Sequence, residues 1–137
     1  MSDNRLQRRQ PTGNFYMSDT FHRFLPDGHP ETGLEPSNKV PKDAFTTDDH
    51  TESSHTFFET ADGSITSGVW ECAPILVEID AYSVNELMTV LSGSLNLTDA
   101  QGRKETFTAG DTFLVPKGAK VTLEITETLR KFYLIVK

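Results

Sequence analysis

Glu86 is the residue of this sequence best placed to do chemistry. It opens a stretch whose alternation sends Glu86, Met88 and Val90 to one face and Leu87, Thr89 and Leu91 to the other. A carboxylate in such an apolar row, facing an interior, could exchange a proton with a small ligand or simply hydrogen-bond to it. Tyr82 stands four residues earlier and could bring a phenolic hydroxyl to the same place. Arg130 and Lys131 are adjacent, so on a strand only one of them can face inward. They could equally pair with Glu124 and Glu127 on neighbouring positions. Asp80 and Glu86 together could form a weak hard-cation site completed by water. Cys72 is the single cysteine. With no histidine at the spacing of a known Cys–His pair, it reads as a small buried apolar residue rather than a nucleophile. All four histidines precede residue 56, and His50 and His55 could fold back over a barrel mouth.

These residues need a scaffold, and the chain changes character near residue 56. Residues 1–55 hold five of the seven prolines and few aliphatic side chains, which excludes a long helix or a central strand. Ser18-Asp-Thr could cap a short helix through Leu25. Phe15, Tyr16, Phe21, Phe24 and Leu25 make this segment too apolar for a plain linker. It reads as an irregular N-terminal arm, partly disordered at residues 1–12, that packs on a barrel or on a partner subunit. Residues 56–137 read as short strands at 56–59, 65–72, 75–80, 86–91, 94–98, 104–107, 112–115, 121–126 and 131–136. Turn signals at Ala61-Asp-Gly-Ser64, Ser92-Gly93, Asp99-Ala-Gln-Gly102, Ala109-Gly-Asp111 and Pro116-Lys-Gly118 separate several of them. Strands of this length and spacing build an all-β sandwich or barrel.

The turn residues also fall at telling offsets. Gly110-Asp-Thr-Phe-Leu-Val-Pro116-Lys-Gly118 resembles the second cupin motif, and Glu86 followed six residues later by Gly93 resembles the end of the first. With Gly68-Val-Trp-Glu-Cys72, Tyr82-x3-Glu86, Val90-Leu-Ser-Gly93 and Arg130-Lys-Phe-Tyr133, residues 56–137 resemble the small single-domain cupin family of unknown function. That family is RmlC-like and labelled after the cupin domain of ureidoglycine aminohydrolase. The resemblance implies a single cupin jelly-roll barrel with the Glu86 face inward. It implies a ligand cup lined by Trp70, Tyr82, Glu86, Met88 and Lys131; Lys120 lies at the rim of the second motif. Structural roles for Gly93, Gly110, Asp111 and Pro116 follow from turn chemistry alone.

The resemblance also carries an expectation of absence. A metal-binding cupin supplies two histidines and a glutamate from its first motif and a histidine from its second, a set suited to transition metals. Here the glutamate position is Glu86. The first-motif histidine positions fall on Asp80 and Tyr82, or on Ile79 and Ala81, and the second-motif position falls on Val121. No metal or other cofactor is therefore expected, and the aminohydrolase activity is not carried over.

Three functions remain: a metal-independent small-molecule-binding module, an enzyme using Glu86 as acid or base on a small nitrogenous or carbonyl metabolite, and an interaction module whose barrel is filled. A homodimer is expected in each. The net charge of −7 and the lack of a basic patch argue against nucleic acid; Arg5, Arg8 and Arg9 read as a solvated tail. No apolar run approaches the ~20 residues that span a bilayer. Residues 6–30 contain no apolar signal-peptide core, so the expectation is a cytoplasmic protein without membrane contact.

Overall fold

The structure is a computed structural model and describes residues 20–137. Eight strands form it: β1 Glu35–Pro36, β2 Glu52–Glu59, β3 Ile65–Cys72, β4 Leu76–Ile79, β5 Asn85–Thr98, β6 Lys104–Thr108, β7 Thr112–Val115 and β8 Val121–Val136. All pair antiparallel. Two long strands organise the rest. The first half of β5 and the second half of β8 pair with each other, flanked by β7 on one side and β3, β2 and β1 on the other. The second half of β5 and the first half of β8 also pair, flanked by β6 and β4. The same two strands thus serve two layers, which face each other across an apolar interior.

β5 and β8 are the main differences from the sequence expectation. Four short strands were expected where two long ones stand. Ser92-Gly93 does not end a strand; it makes a bulge, with the β5–β8 register shifting between Val90 and Leu95. The bulge lets β5 bend from one layer to the other without surrendering its pairing. Gly93 has φ +88°, and a Cβ there would collide with the Thr128 carbonyl. The expected turn roles of Gly110 and Asp111 are met at the β6–β7 connection. Gly110 has φ +94°, and Asp111 Oδ2 accepts the Thr108 amide at 2.8 Å. Pro116 follows β7 directly.

The core alternates as the sequence implies. Glu86, Met88 and Val90 are buried while Leu87 is exposed. Cys72, Ile75, Val90, Leu95, Ile125 and Leu129 form the main apolar cluster, joined from the arm by Ala44. Burying a Leu- or Ile-sized side chain contributes about 1.5–3 kcal/mol. Cys72 is fully buried, and burial pushes its thiol up to about 12. We expect native Cys72 to react with a thiol reagent at pH 8 on the order of a hundredfold more slowly than after denaturation. Equal rates would place it at the surface.

The arm packs along its own barrel. Phe24 contacts Phe57 and Phe132, and His22 sits edge-on to Phe58. Arg130 binds Asp27 at 2.8 Å and the Pro26 carbonyl, besides Glu71 on β3, so it ties the arm to the sheet and does not pair with Glu124 or Glu127. The expected helix from Ser18 to Leu25 is absent over residues 20–25, which carry no regular secondary structure while His22 and Phe24 lay their rings on the sheet. Ser18, Phe15, Tyr16, the three N-terminal arginines and the expected disorder at 1–12 lie outside the described residues. The expected boundary between residues 55 and 56 falls inside β2. Among the described residues no helix is long and apolar enough to cross a membrane.

Candidate functional site

The space between the layers is a cavity of about 710 Å³. Trp70, Tyr82, Glu86, Met88 and Lys131 all line it, together with Tyr133 and an apolar side that includes Ile75, Val77, Leu123, Ile125 and Leu129. Exposed Lys39, Glu59 and Lys137 mark its mouth.

Register explains how the polar group assembles. Lys131 lies on β8 opposite Trp70 of β3 on one side and Val90 of β5 on the other. Its chain runs inside the cup towards Glu86. Nζ donates to Glu86 Oε2 at 2.9 Å, lies 3.0 Å from Met88 Sδ, and sits 4.6 Å from the centre of the Trp70 ring. Tyr82 donates its hydroxyl to Glu86 Oε1 at 2.7 Å. Glu86 and Lys131 are only 6% and 7% exposed. Burial, with the Glu86 carboxylate next in size, pushes the Tyr82 phenol well above its ordinary range, so it stays a donor.

Tyr82 is held there by the turn after β7. The Tyr82 amide donates to the Ala119 carbonyl at 2.8 Å, and the Gly118 amide donates to the Tyr82 carbonyl at 2.7 Å. Gly118 has φ +92°, which a side chain would strain. The Pro-x-Gly turn thus fixes the phenol that caps Glu86.

Three parts of the site are absent from the sequence expectation. Lys39, Val40 and Pro41 of the arm form one wall. Glu52 is buried at 6% exposure; it accepts the amides of Lys39 and Val40 and, at 2.9 Å, the indole N–H of Trp70. One carboxylate therefore bolts the arm to the Trp70 wall. Tyr133 is the third: its hydroxyl meets Thr56, and burial raises its phenol. Tyr133 shares the period-2 face of Lys131, a signal that was available; Glu52 offered none. We expect Glu52→Ala to cost about 1–3 kcal/mol by orphaning three donors, seen in urea unfolding, and to raise hydrogen exchange at Lys39 and Val40. Unchanged exchange there would remove the clamp.

The other candidates disperse. Asp80 is exposed and is not part of the cavity wall, so it makes no pair with Glu86. Lys120 borders a separate groove of about 420 Å³ beside the stacked Phe107 and Phe113. His55 faces away from the cup, towards Glu35, and His50 stacks on Phe45. Among the described residues no three His, Cys, Asp or Glu side chains converge. Glu86 already spends one oxygen on Tyr82 and the other on a cation. This donor set does not fit a transition-metal centre.

Residues 59–133 match the profile of the EutQ-like cupin domain family. No functionally curated protein matches the chain. Among solved structures, it is similar to a DUF861-family protein of unknown function from Pseudomonas syringae. The two are 27% identical with a TM-score of 0.67, over 75% of this chain and 44% of that one. The chain thus spans less than half of that relative's length. A putative ethanolamine utilization protein EutQ from Salmonella typhimurium is 22% identical, with a TM-score of 0.54, over 64% of this chain and 70% of that one. EutQ of Clostridium difficile is 20% identical, with a TM-score of 0.53, over 72% and 80%. The two EutQ likenesses bear on the fold alone.

Proposed function

Because the chain belongs to the EutQ-like cupin domain family, we propose that it uses the family's barrel as a metal-independent, small-molecule-binding cup. The observation that carries this reading is the cavity of about 710 Å³ with Glu86, Lys131 and Tyr82 gathered inside it. That volume is typical of small-molecule pockets, which combine apolar walls with a few convergent polar groups. Trp70 is the only tryptophan and forms part of the wall, so it reports on occupancy directly. Screening a metabolite library by indole fluorescence and by the Met88 methyl resonance tests the reading. Binders are expected to perturb both probes. A library that perturbs neither, or that shifts only residues outside the cup, would sink it.

A second reading, an enzyme with Glu86 as acid or base, is favoured by the convergence of Tyr82 and Lys131 on that carboxylate. It requires Glu86 to release a partner before it takes a proton from substrate. Glu86→Gln should then abolish turnover of a confirmed substrate while the fold persists; retained turnover ends this reading.

We also propose a homodimer. The support is the outer face of β7, β5 and β8, where Leu114, Leu87 and Leu134 stand side by side on cross-paired positions, and Leu114 is 56% exposed. This uncharged row lets two chains of net charge −7 approach. Light scattering coupled to size exclusion should return twice the chain mass, falling to one with Leu87→Lys/Leu114→Lys; a monomeric wild type removes the dimer.

A further inference from the structure

Resting on the binding reading above, we infer that the cup takes a small organic anion, a carboxylate with an aliphatic body, whose oxygen docks on Lys131. The first ground is how the ammonium is satisfied. Nζ carries three donors, and only one meets a strong acceptor, Glu86 Oε2. The other neighbours are the Met88 thioether and the Trp70 ring, both weak acceptors. A buried cation with two poorly met donors gains from a carboxylate oxygen that replaces either contact.

The second ground is that the alternative subsite is already taken. A ligand cation would need a carboxylate and an aromatic face, and the cup has both in Glu86 and Trp70. Lys131 itself occupies them. The third is the charge of the wall. Its ionic side chains are Lys39, Lys131 and Lys137 against Glu59 and Glu86, a positive surplus within a chain of net charge −7. Lys39 and Lys137 stand at the mouth, where they draw anions inward. The body of the ligand is set by the apolar side, where Ile75, Val77 and Leu123 offer no hydrogen bond.

The test titrates the full-length protein with hexanoate, 1-hexanol and hexylammonium at matched ionic strength, reading Trp70 emission and ligand-observed NMR. Hexanoate should bind about tenfold more tightly than either analogue. Its affinity should fall with added salt. Lys39→Gln/Lys137→Gln, which leaves the buried pair untouched, should weaken hexanoate about two- to threefold at low salt; no change at all would overturn the charge argument. Hexanol or hexylammonium binding as tightly as hexanoate would overturn the anion inference while leaving the cup a binding site. Binding of none of the three would overturn the inference together with the reading it rests on.

Discussion

Lys131→Met should destabilise the fold by about 3–5 kcal/mol, because it strands Glu86 as a buried charge without its counter-ion. The pair is 2.9 Å long and both residues are nearly sealed from solvent. Tyr82 would still donate to Glu86, but a single phenol does not replace an ammonium. The pair as a whole need not be stabilising, since moving two charges out of water costs several kcal/mol that their attraction only partly returns. The double variant Glu86→Gln/Lys131→Met should therefore recover to within about 1–2 kcal/mol of wild type. Urea unfolding of the four proteins gives the coupling directly. Single variants that cost less than about 1 kcal/mol would mean that water reaches both groups freely, and the cup would lose its built polar centre.

Gly93→Ala should be about as damaging, for a reason that has nothing to do with charge. At φ +88° an alanine sits in a region that costs L-residues roughly 1–2 kcal/mol. Its Cβ would also run into the Thr128 carbonyl and the Leu129 backbone. Backbone displacement adds about 1–3 kcal/mol, for a total of about 2–5. Gly110→Ala is the internal control. Gly110 has a similar φ of +94° but open space where a Cβ would go. Only the backbone cost, about 1–2 kcal/mol, applies there. Equal losses at the two glycines would show that the close approach of β5 to β8 at the bulge is not what demands glycine.

These two sites also mark where sequence reasoning reaches and where it stops. The period-2 row of Glu86, Met88 and Val90 and the turn glycines at 110 and 118 are local signals, so an all-β sandwich or barrel could be read from them, while the choice of a cupin barrel came from the resemblance. Trp70, Tyr82, Glu86, Met88 and Lys131 were brought together only by the resemblance of their motifs to the cupin family, and they do share one cavity. What could not be read was who partners whom. The contact of Lys131 with Trp70 depends on β3 lying beside β8, and its ion pair with Glu86 on β8 lying beside β5. No local spacing encodes either neighbour. The breaks expected near Ser92 and between residues 126 and 131 were misplaced for a related reason. A bulge looks like a turn in sequence but keeps its ladder when a partner strand bends with it. The arm was hardest, since the wall from Lys39 to Pro41 exists only because Glu52, an unremarkable acidic residue in sequence, is drawn under Trp70.

The central claim is that an ammonium, not a metal ion, is the resident cation partner of Glu86. Elemental mass spectrometry of the tag-free protein, before and after dialysis against iron, manganese, nickel and zinc, tests it most directly. The account predicts far less than one equivalent of any of these metals after dialysis, with no difference between wild type and Glu86→Gln. Near-stoichiometric metal that survives dialysis in wild type and disappears in Glu86→Gln would contradict it.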